Sequence, residues 1–380
     1  MWFSPHGSYK TKAFGTVRRY RCNACQKTMS EQTESTHYYA KKPISLSVLS
    51  DQITGRSLHE ISRYFNVSDD VIRNNVLRLG RQAMAGQIYG LTDMPKLKNV
   101  ALDGLRSFIT SQDYPCDLTT VVDRPTLAII SIIHFIFRRG GNMTRQQESR
   151  SKRKYAIWSP EPGSMREEIA QLAREMMHYL HLDKTYPAII DSDEHFLYFD
   201  ELRRGLPGLA QLEKKFIHVR TSAKLRRDRY NRLYPVNYID RLLRLREQEH
   251  TRETIAFGRH PVMQMTRAWI WAWDHNFRRE FRVAEPELGV HAAQGLCSQQ
   301  CIDEMMGEFF TRRLRLRDKL VPESIRKVWM AEIPGPPVRW RKTVIGSARP
   351  IRVPKYAIRD ILEGRIIEGS LPYQEASSIA

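Results

Sequence analysis

The sequence predicts a mixed α/β fold built on a five-stranded sheet with helices on its flanks. Three apolar stretches follow one another with only short turns between them, which is typical of an antiparallel meander: residues 98–105, 118–124 and 127–137. A helix, a fourth strand, a second helix and a fifth strand are predicted after them. Carboxylates at the edges of these elements are the candidate functional groups.

The helix after the third strand is predicted over residues 165–182, where apolar residues recur at helical spacing. Ser164 and Glu167 have the spacing of a capping box, in which a hydroxyl and a carboxylate satisfy free backbone N–H groups at a helix start. We therefore expect this helix to begin at Ser164.

The next elements complete the sheet. The apolar residues 187–190 predict a buried fourth strand that ends at Asp191 and Asp193. A helical stretch beginning near Phe196 leads to a fifth strand at 214–221. Three strands, helix, strand, helix, strand is the order of a ribonuclease H-like core, so we expect a mixed five-stranded sheet of that kind.

Three aspartates have positions that suit a magnesium site. Asp103 lies on the first strand, Asp193 lies just beyond the fourth, and Asp240 is predicted to open a later helix. Mg²⁺ prefers oxygen ligands, and two ions about 4 Å apart can activate a nucleophile and stabilise the leaving oxygen of a phosphodiester. Two Mg²⁺ ions are therefore the predicted cofactors, with Mn²⁺ as an alternative.

The third ligand has competitors on the same predicted helix, namely Glu247, Glu249 and Glu253. Glu247 is seven residues after Asp240, which is two helical turns along one face. The sequence therefore leaves the choice between Asp240 and Glu247 open.

The charge balance predicts a nucleic-acid partner. Lys and Arg number 61 against 42 Asp and Glu, which gives a net charge of +19. Two runs concentrate this excess, with seven basic residues and one acid at 138–154 and eight basic residues and one acid at 214–232. Phosphate contacts are expected from these runs, and the candidates in the second run are Lys224, Arg226 and Arg227.

Residues 45–84 contain a helix-turn-helix pattern, with a first helix at 57–67 and a second that Ser68 would cap. Arg73 and Asn74 would lie near the end of the second helix that faces the bases. These side chains have the donors to read guanine and adenine, respectively. The alternative is a structural helical hairpin that does not contact DNA.

Cys22 and Cys25 have the spacing of a zinc knuckle, with two thiolates on one tight loop. A structural zinc needs four ligands, and no second CxxC precedes Cys22. We therefore expect half a zinc site, no stoichiometric zinc, and weak packing of residues 1–44.

Several of these motifs resemble one enzyme family. Residues 234–282, with VNYIDRLLRLREQEH and WAWDHNFRREFRV, are similar to the catalytic core of zinc-ribbon DDE-type insertion-sequence transposases. The SDEH at 192–195 is similar to their second-acid motif, and RYRCNACQKTMS at 19–30 is similar to the second half of their ribbon, whose first half is expected to be missing.

The resemblance implies that Asp103, Asp193 and Asp240 are the catalytic acids of a DNA transposase. Its partners would be double-stranded DNA at the element ends and the target, and a second copy of the chain. The family name implies glutamate at the third acid, so aspartate there is a departure. Two alternatives therefore stay open, a DNA-binding regulator on a degenerate core and a nuclease of the same fold without strand transfer.

The predicted organisation has four parts: a partial zinc ribbon at 1–44, a helix-turn-helix module at 45–95, the catalytic domain at 96–296, and a basic C-terminal helix with a Pro- and Arg-rich tail at 297–380. Five cysteines without a regular framework and no long apolar segment predict a cytoplasmic, nucleoid-associated protein without a membrane partner.

Overall fold

The N-terminal region contains a small antiparallel sheet followed by three helices. The computed structural model describes residues 2–53, 55–203, 214–222, 224–251, 256–282, 285–289, 296–337 and 351–367. The sheet has the order β1-β2-β3, with β1 (Phe3–Thr11), β2 (Gly15–Cys22) and β3 (Thr28–Ser30). The helices are α1 (Leu46–Ile53), α2 (Leu58–Tyr64) and α3 (Asp69–Asp93).

Packing of the N-terminal region is stronger than the sequence led us to expect. The guanidinium of Arg78 on α3 donates to the carbonyl oxygens of Thr36 and Tyr38 at 3.1 and 2.8 Å. Arg313 donates to the carbonyl of Thr33 at 2.6 Å. The expectation of weak packing is therefore wrong for the end of this region, because arginines from distant parts of the chain hold its backbone.

A five-stranded mixed sheet forms the centre of the molecule, in the order β6-β5-β4-β7-β8. The first three strands pair antiparallel in sequence order, and β4, β7 and β8 run parallel to one another. This confirms the predicted mixed α/β class and its five strands. They are β4 (Asn99–Phe108), β5 (Pro115–Asp123), β6 (Ile129–Ile136), β7 (Ala188–Ser192) and β8 (Phe216–Arg220).

Helices cover both faces of this sheet. The helices that follow the first three strands are α4 (Arg145–Tyr155), α5 (Ser164–Tyr179), α6 (Phe196–Arg203), α7 (Tyr234–Arg246) and α8 (Pro261–Trp273). Side chains of β4 alternate between two hydrophobic clusters. Val100 and Leu102 pack with α5 and α6, whereas Ala101 and Leu105 pack with α3, α7 and α8. The two β4 faces therefore have different helical neighbours.

The predicted capping box at the start of α5 is wrong. Gly163 occupies the N-cap position with a φ of 89°, and no side chain caps the helix. The backbone N–H of Glu167 donates to the carbonyl of Gly163 at 3.1 Å. Ser164 is thus already inside the first turn, where its hydroxyl cannot take the capping role.

The region after α8 is more compact than a basic helix with an extended tail. A short 3₁₀ helix, Gln248–His250, precedes α8, and a π-helical turn, Asp274–Arg278, follows it. The remaining elements are β9 (Glu280–Arg282), β10 (Glu285–Gly289), α9 (Gln299–Phe309), β11 (Leu320–Val321), α10 (Glu323–Trp329), α11 (Lys355–Leu362) and β12 (Arg365–Ile366).

The predicted basic C-terminal helix corresponds to α9, which ends at Phe309 and is therefore short. Arg313 and Arg315 lie in the chain after it and pair with Asp360 of α11. Apolar residues of α9, α10 and α11 belong to the same hydrophobic cluster as α3 and α8, so the predicted boundary at 296/297 falls inside a continuous core. Residues 338–350 and 368–380 of the predicted tail lie outside the described residues. In the part of the chain that is described, no helix combines the length and apolar character needed to cross a membrane.

Part of the basic run 138–154 has a structural role. Asp113 is fully buried and pairs with Arg150 at 3.0 Å and Lys154 at 2.8 Å, and Arg139 lies 3.9 Å away. Burial raises the pKa of Asp113, but hydrogen bonds from Lys154, Ser151 and Arg150 outweigh it and lower the pKa to about 2. These cations are therefore less available to DNA than the sequence suggested.

We expect Asp113→Asn to reduce the free energy of unfolding by about 2 kcal/mol at pH 7, because it removes the negative charge that accepts several buried hydrogen bonds. The loss should shrink as pH falls from about 4 towards 2, where the wild-type carboxylate itself becomes protonated. Urea unfolding of the variant and the wild type at pH 7 and at pH 2.5 measures this loss. A loss that is equal at pH 7 and pH 2.5 would contradict the assignment.

Candidate active site

Asp103 and Asp193 lie side by side at one edge of the central sheet. In the parallel pairing of β4 with β7, Ala101 is opposite Asp191. Asp193 is the first residue after β7, which ends at Ser192, and its charge is close enough to Asp103 to raise the pKa of that carboxyl group. The face of β4 that carries Asp103 is the one that α7 covers, because Ala101 and Leu105 pack there.

Asp240 comes to the same face from α7. Its position differs from the prediction, because α7 begins at Tyr234, with Pro235 in the first turn, and Asp240 lies at the middle of the helix rather than at its start. The helix packs against β4 and β5. Asp240 is only 9% exposed, and its Oδ1 has no hydrogen-bond partner among the described residues.

The carboxylates affect one another electrostatically. Burial raises the pKa of Asp103 to about 7, and the nearby charges of Asp193 and Asp117 add to this effect. The N–H of Gly104, which donates to Asp103 Oδ1 at 2.8 Å, and the guanidinium of Arg227 oppose it. Burial also raises the pKa of Asp240, with contributions from Asp103 and Asp117. Without a cation these carboxyl groups therefore favour the protonated form, and a bound cation would favour the ionised form.

Asp117 on β5 is a further carboxylate near these acids, and sequence reasoning missed it. It lies opposite Arg106 in the pairing of β4 with β5, so its side chain is on the other face of the sheet from Asp103. A Cβ on Gly104 would meet its Oδ1 at 2.2 Å, so a larger residue at position 104 would displace this carboxylate. Burial raises its pKa to about 6, although Arg106 and a hydrogen bond from Thr119 oppose the shift. The strand predicted at 118–124 begins one residue after Asp117, whereas the observed β5 begins at Pro115 and includes this aspartate.

Asp191 has a different role from Asp193, although both follow the fourth strand. It is fully buried and forms ion pairs with Arg124, at 3.0 Å, and with Arg232. Two arginines therefore fix the carboxyl end of β7. Asp193, by contrast, is partly exposed and accepts a hydrogen bond from the backbone N–H of His195 at 2.9 Å.

The competing glutamates are not on the helix that carries Asp240. That helix ends at Arg246, so Glu247 is its C-cap and Glu249 lies in the 3₁₀ helix that follows. Glu247 is buried and accepts hydrogen bonds from Arg267 at 3.0 and 2.5 Å. Glu253 lies outside the described residues. Glu247 therefore has an arginine partner for its Oε2, although its Oε1, like Asp240 Oδ1, has no hydrogen-bond partner in the described part of the chain.

The second basic run reaches the carboxylates from the solvent side. Lys224, Arg226 and Arg227 are all exposed, in the segment that leads into α7. Arg227 is close enough to lower the pKa of both Asp103 and Asp240. The exposed ring of Tyr230 lies in the same segment. Cations and an aromatic ring thus border the acidic group.

The predicted recognition helix is longer than a simple helix-turn-helix pattern requires. Ser68 occupies the N-cap of α3 without making a side-chain capping bond. Arg73 pairs with Asp70 at 2.9 Å, and Asn74 is exposed. Beyond this first part, α3 packs against α8 in the core. Base reading by Arg73 and Asn74 stays a prediction.

The two predicted zinc ligands lie on the turn that joins β2 and β3. The thiol of Cys22 receives hydrogen bonds from the backbone N–H groups of Cys25 and Ala24, which lower its pKa. Cys25 is exposed. This is the local geometry of two thiols on one tight loop, and zinc binding here stays a prediction.

The residues at the sheet edge have the chemistry that Mg²⁺ prefers. All candidate donors are carboxylate oxygens, and Asp240 Oδ1 is buried without a partner in the described chain. Thr120 lies opposite Asp103 in the pairing of β4 with β5. Its buried hydroxyl also has no hydrogen-bond partner among the described residues. Within the described ranges, no three His, Cys, Asp or Glu side chains are grouped closely enough to hold a metal ion by themselves.

Comparison with known proteins adds no family to this description. No protein-family model matches the chain, and no curated protein matches its sequence significantly.

Proposed function

We propose that the protein is a DNA transposase of an insertion sequence with a ribonuclease H-like core. Its activity would be metal-dependent hydrolysis of a phosphodiester at the element ends, followed by strand transfer into target DNA. The observation that carries the proposal is the proximity of Asp103 to both Asp193 and Asp240, because the charges in each of these two pairs are close enough to raise a carboxyl pKa. The strand order β6-β5-β4-β7-β8, with only its last pairings parallel, supports the fold.

Asp103, Asp193 and Asp240 would hold the metal together with water and phosphate oxygens, because no three such side chains of the described residues are grouped closely enough to hold it by themselves. When bound, Mg²⁺ would activate a water or a 3′-hydroxyl and stabilise charge on the phosphate. The chain's own residues would do the rest. The backbone N–H of His195 fixes the orientation of the Asp193 carboxylate. The ion pairs of Asp191 with Arg124 and Arg232 hold the end of β7, and with it Asp193, in place.

DNA would be held by the exposed cations beside the carboxylates. Lys224, Arg226 and Arg227 can neutralise phosphates next to the scissile bond, and Tyr230 can stack on a base. Because Arg227 already influences Asp103 and Asp240, a phosphate bound to this arginine would lie near the acids. The protein would bind the element ends as a homo-oligomer in which copies of the chain hold paired ends.

A cleavage assay tests this function. The substrate is a supercoiled plasmid that carries the gene with its natural flanking DNA, incubated with the protein and Mg²⁺, Mn²⁺ or EDTA. Metal-dependent cuts at both element ends, with joined target products, would support the transposase. Cuts without joined products would favour a nuclease, and binding without cuts would overturn the enzymatic proposal.

The last outcome corresponds to the second candidate, a DNA-binding regulator on an inactive core. Two observations favour it, the aspartate at the third acidic position and the single pair of cysteines at 22 and 25. A regulator needs no ionised carboxylates at the sheet edge. Its DNA affinity should therefore be the same with Mg²⁺ and with EDTA at equal ionic strength.

Salt dependence provides a separate prediction about the DNA-binding surface. We expect log K for DNA to fall steeply with log salt, by about 0.9 per phosphate neutralised. Replacing Lys224, Arg226 and Arg227 together with Gln should reduce that slope by up to about 3 and leave sequence preference unchanged. Fluorescence anisotropy over a range of NaCl concentrations measures the slope.

A second triple variant tests the other basic run. It replaces Arg138, Arg145 and Arg153, three cations of the run 138–154 that do not pair with Asp113, with Gln. If both runs contact backbone, the two triple variants should reduce the slope by similar amounts. An unchanged slope for the Lys224, Arg226 and Arg227 variant would show that DNA does not bind beside the carboxylates.

A further inference from the structure

A second cluster of charged residues surrounds a small open cavity away from the carboxylates. The cavity lies between α3, the chain after α9, the end of α10, and α11. Three arginines line it, Arg78, Arg81 and Arg313, together with Trp329, Tyr356 and Asp360. None of these residues belongs to the proposed active site. The cavity is open to solvent, and its volume is about 20 Å³.

Among the described arginines that form no ion pair with a carboxylate, Arg81 has the least exposed side chain. Its side chain is 7% exposed, and its Nε and Nη2 donate to the carbonyl of Trp329 at 3.3 and 3.2 Å. No carboxylate in the described chain pairs with it. A guanidinium keeps its charge even when buried, and one carbonyl oxygen does not neutralise it.

Arg78 lies one helical turn before Arg81 on the same face of α3. Like Arg81, it forms no ion pair among the described residues. It donates to two backbone carbonyls, and its guanidinium lies over the ring of Tyr356, 5.4 Å from the centroid. The aromatic ring and the carbonyls stabilise the cation but supply no net negative charge. In the described ranges, it too has no carboxylate partner.

The acids nearby are already used by other arginines. Asp360 pairs with Arg313 at 2.6 Å and also with Arg315, which in turn pairs with Glu34 at 2.7 Å. Within the described residues, four guanidiniums therefore face two carboxylates, and two positive charges stay without compensation. Burying such charges is costly unless an anion accompanies them.

We propose that this cavity binds a phosphate group, with the guanidiniums of Arg78, Arg81 and Arg313 as its ligands. A tetrahedral oxyanion has acceptors in several directions, which suits three planar donors that approach from different elements. Because Arg81 and Arg313 are each only 7% exposed, a phosphate flanked by two sugars does not fit. The ligand is a free phosphate or the terminal 5′-phosphate of a nucleic acid.

Thermal unfolding of the full chain tests the site with inorganic phosphate as the probe. At a phosphate concentration about 100 times the Kd, we expect the Tm to rise by about 3 °C relative to NaCl of equal ionic strength. Arg81→Met, which keeps most of the side-chain volume, should abolish this rise. The control is Arg312→Met, an exposed arginine next to Arg313 that pairs with Glu308 and should respond like the wild type.

Arg78→Gln provides a second variant should Arg81→Met fold poorly, and it should weaken phosphate binding at least 10-fold in a calorimetric titration. An equal Tm rise in NaCl and phosphate would overturn the proposal. So would an unchanged phosphate response in a folded Arg81→Met or Arg78→Gln variant. These measurements do not depend on cleavage, so the proposed transposase and the phosphate site can fail separately.

Short oligonucleotides distinguish the two sources of phosphate. A 5′-phosphorylated oligonucleotide that competes with inorganic phosphate, when its 5′-hydroxyl form does not, would identify a nucleic-acid end as the ligand. Binding of inorganic phosphate without such competition would identify the free anion.

Discussion

Asp103→Asn, Asp193→Asn and Asp240→Asn should each reduce Mg²⁺-dependent DNA cleavage by at least about 1,000-fold. Each change replaces a charged oxygen ligand with a neutral amide of the same shape. The loss of one ligand costs several kcal/mol of transition-state stabilisation in a metal site of this kind. DNA affinity should stay within about threefold of the wild type, because the basic segment 224–232 is unchanged. Gel assays of cleavage and of binding measure the two effects separately.

Two control variants make this result specific. Glu194→Gln removes an exposed carboxylate directly next to Asp193 and should leave cleavage unaffected. Glu247→Gln tests the alternative third acid and should lower stability rather than activity, because Glu247 pairs with Arg267 in the structure. Loss of cleavage in Glu247→Gln, with normal cleavage in Asp240→Asn, would show that the third acid is Glu247.

Asp103→Asn, one of the substitutions expected to abolish cleavage, should also make the metal-free protein more stable. Burial and the charges of Asp193 and Asp117 raise the pKa of Asp103 from 3.8 to about 7. A carboxyl group with a raised pKa contributes stability that is complete below pH 4 and is lost as pH rises to about 7. Metal-free Asp103→Asn should therefore be about 2 kcal/mol more stable than the wild type at pH 8, allowing for the group's partial exposure.

Urea unfolding in EDTA at pH 4 and pH 8 measures this effect. The difference between Asp103→Asn and the wild type should be small at pH 4 and appear at pH 8. Added Mg²⁺ should stabilise the wild type at pH 8 and have little effect on the variant. Glu194→Gln should differ from the wild type by less than about 0.5 kcal/mol at either pH. A destabilised Asp103→Asn at pH 8 would contradict the proposed repulsion among the carboxylates.

The sheet was predictable because its strands are short, apolar and separated by clear turns. The stretch at 127–137 contains β6, and the stretch at 187–190 overlaps β7, which ends at Ser192, directly before Asp193. The start of α7 was less predictable. Leu233 is the N-cap and Pro235 lies in the first turn, so the helix begins at Tyr234, before Asp240. Local propensity therefore gave the existence of these elements more reliably than their ends.

Partner choice among charged residues could not be predicted from the sequence. Asp191 and Asp193 are two residues apart and chemically identical, but only Asp191 meets Arg124 and Arg232. In the run 138–154, Arg150 and Lys154 serve the buried Asp113, which the sequence does not mark as their partner. Such pairs join residues far apart in the chain, so only the packed structure brings them together.

The sequence by itself determined the mixed sheet, the position of Asp103 and Asp193 at its edge, and the cationic character of the molecule, because hydrophobic periodicity and charge are local properties. The tertiary structure decided which acids have partners and which do not. It paired Glu247 with Arg267, added Asp117 beside Gly104, and placed Arg78 and Arg81 in a cavity where neither forms an ion pair with a described carboxylate. Burial and long-range electrostatics depend on residues brought together from distant parts of the chain, and these interactions define the candidate sites.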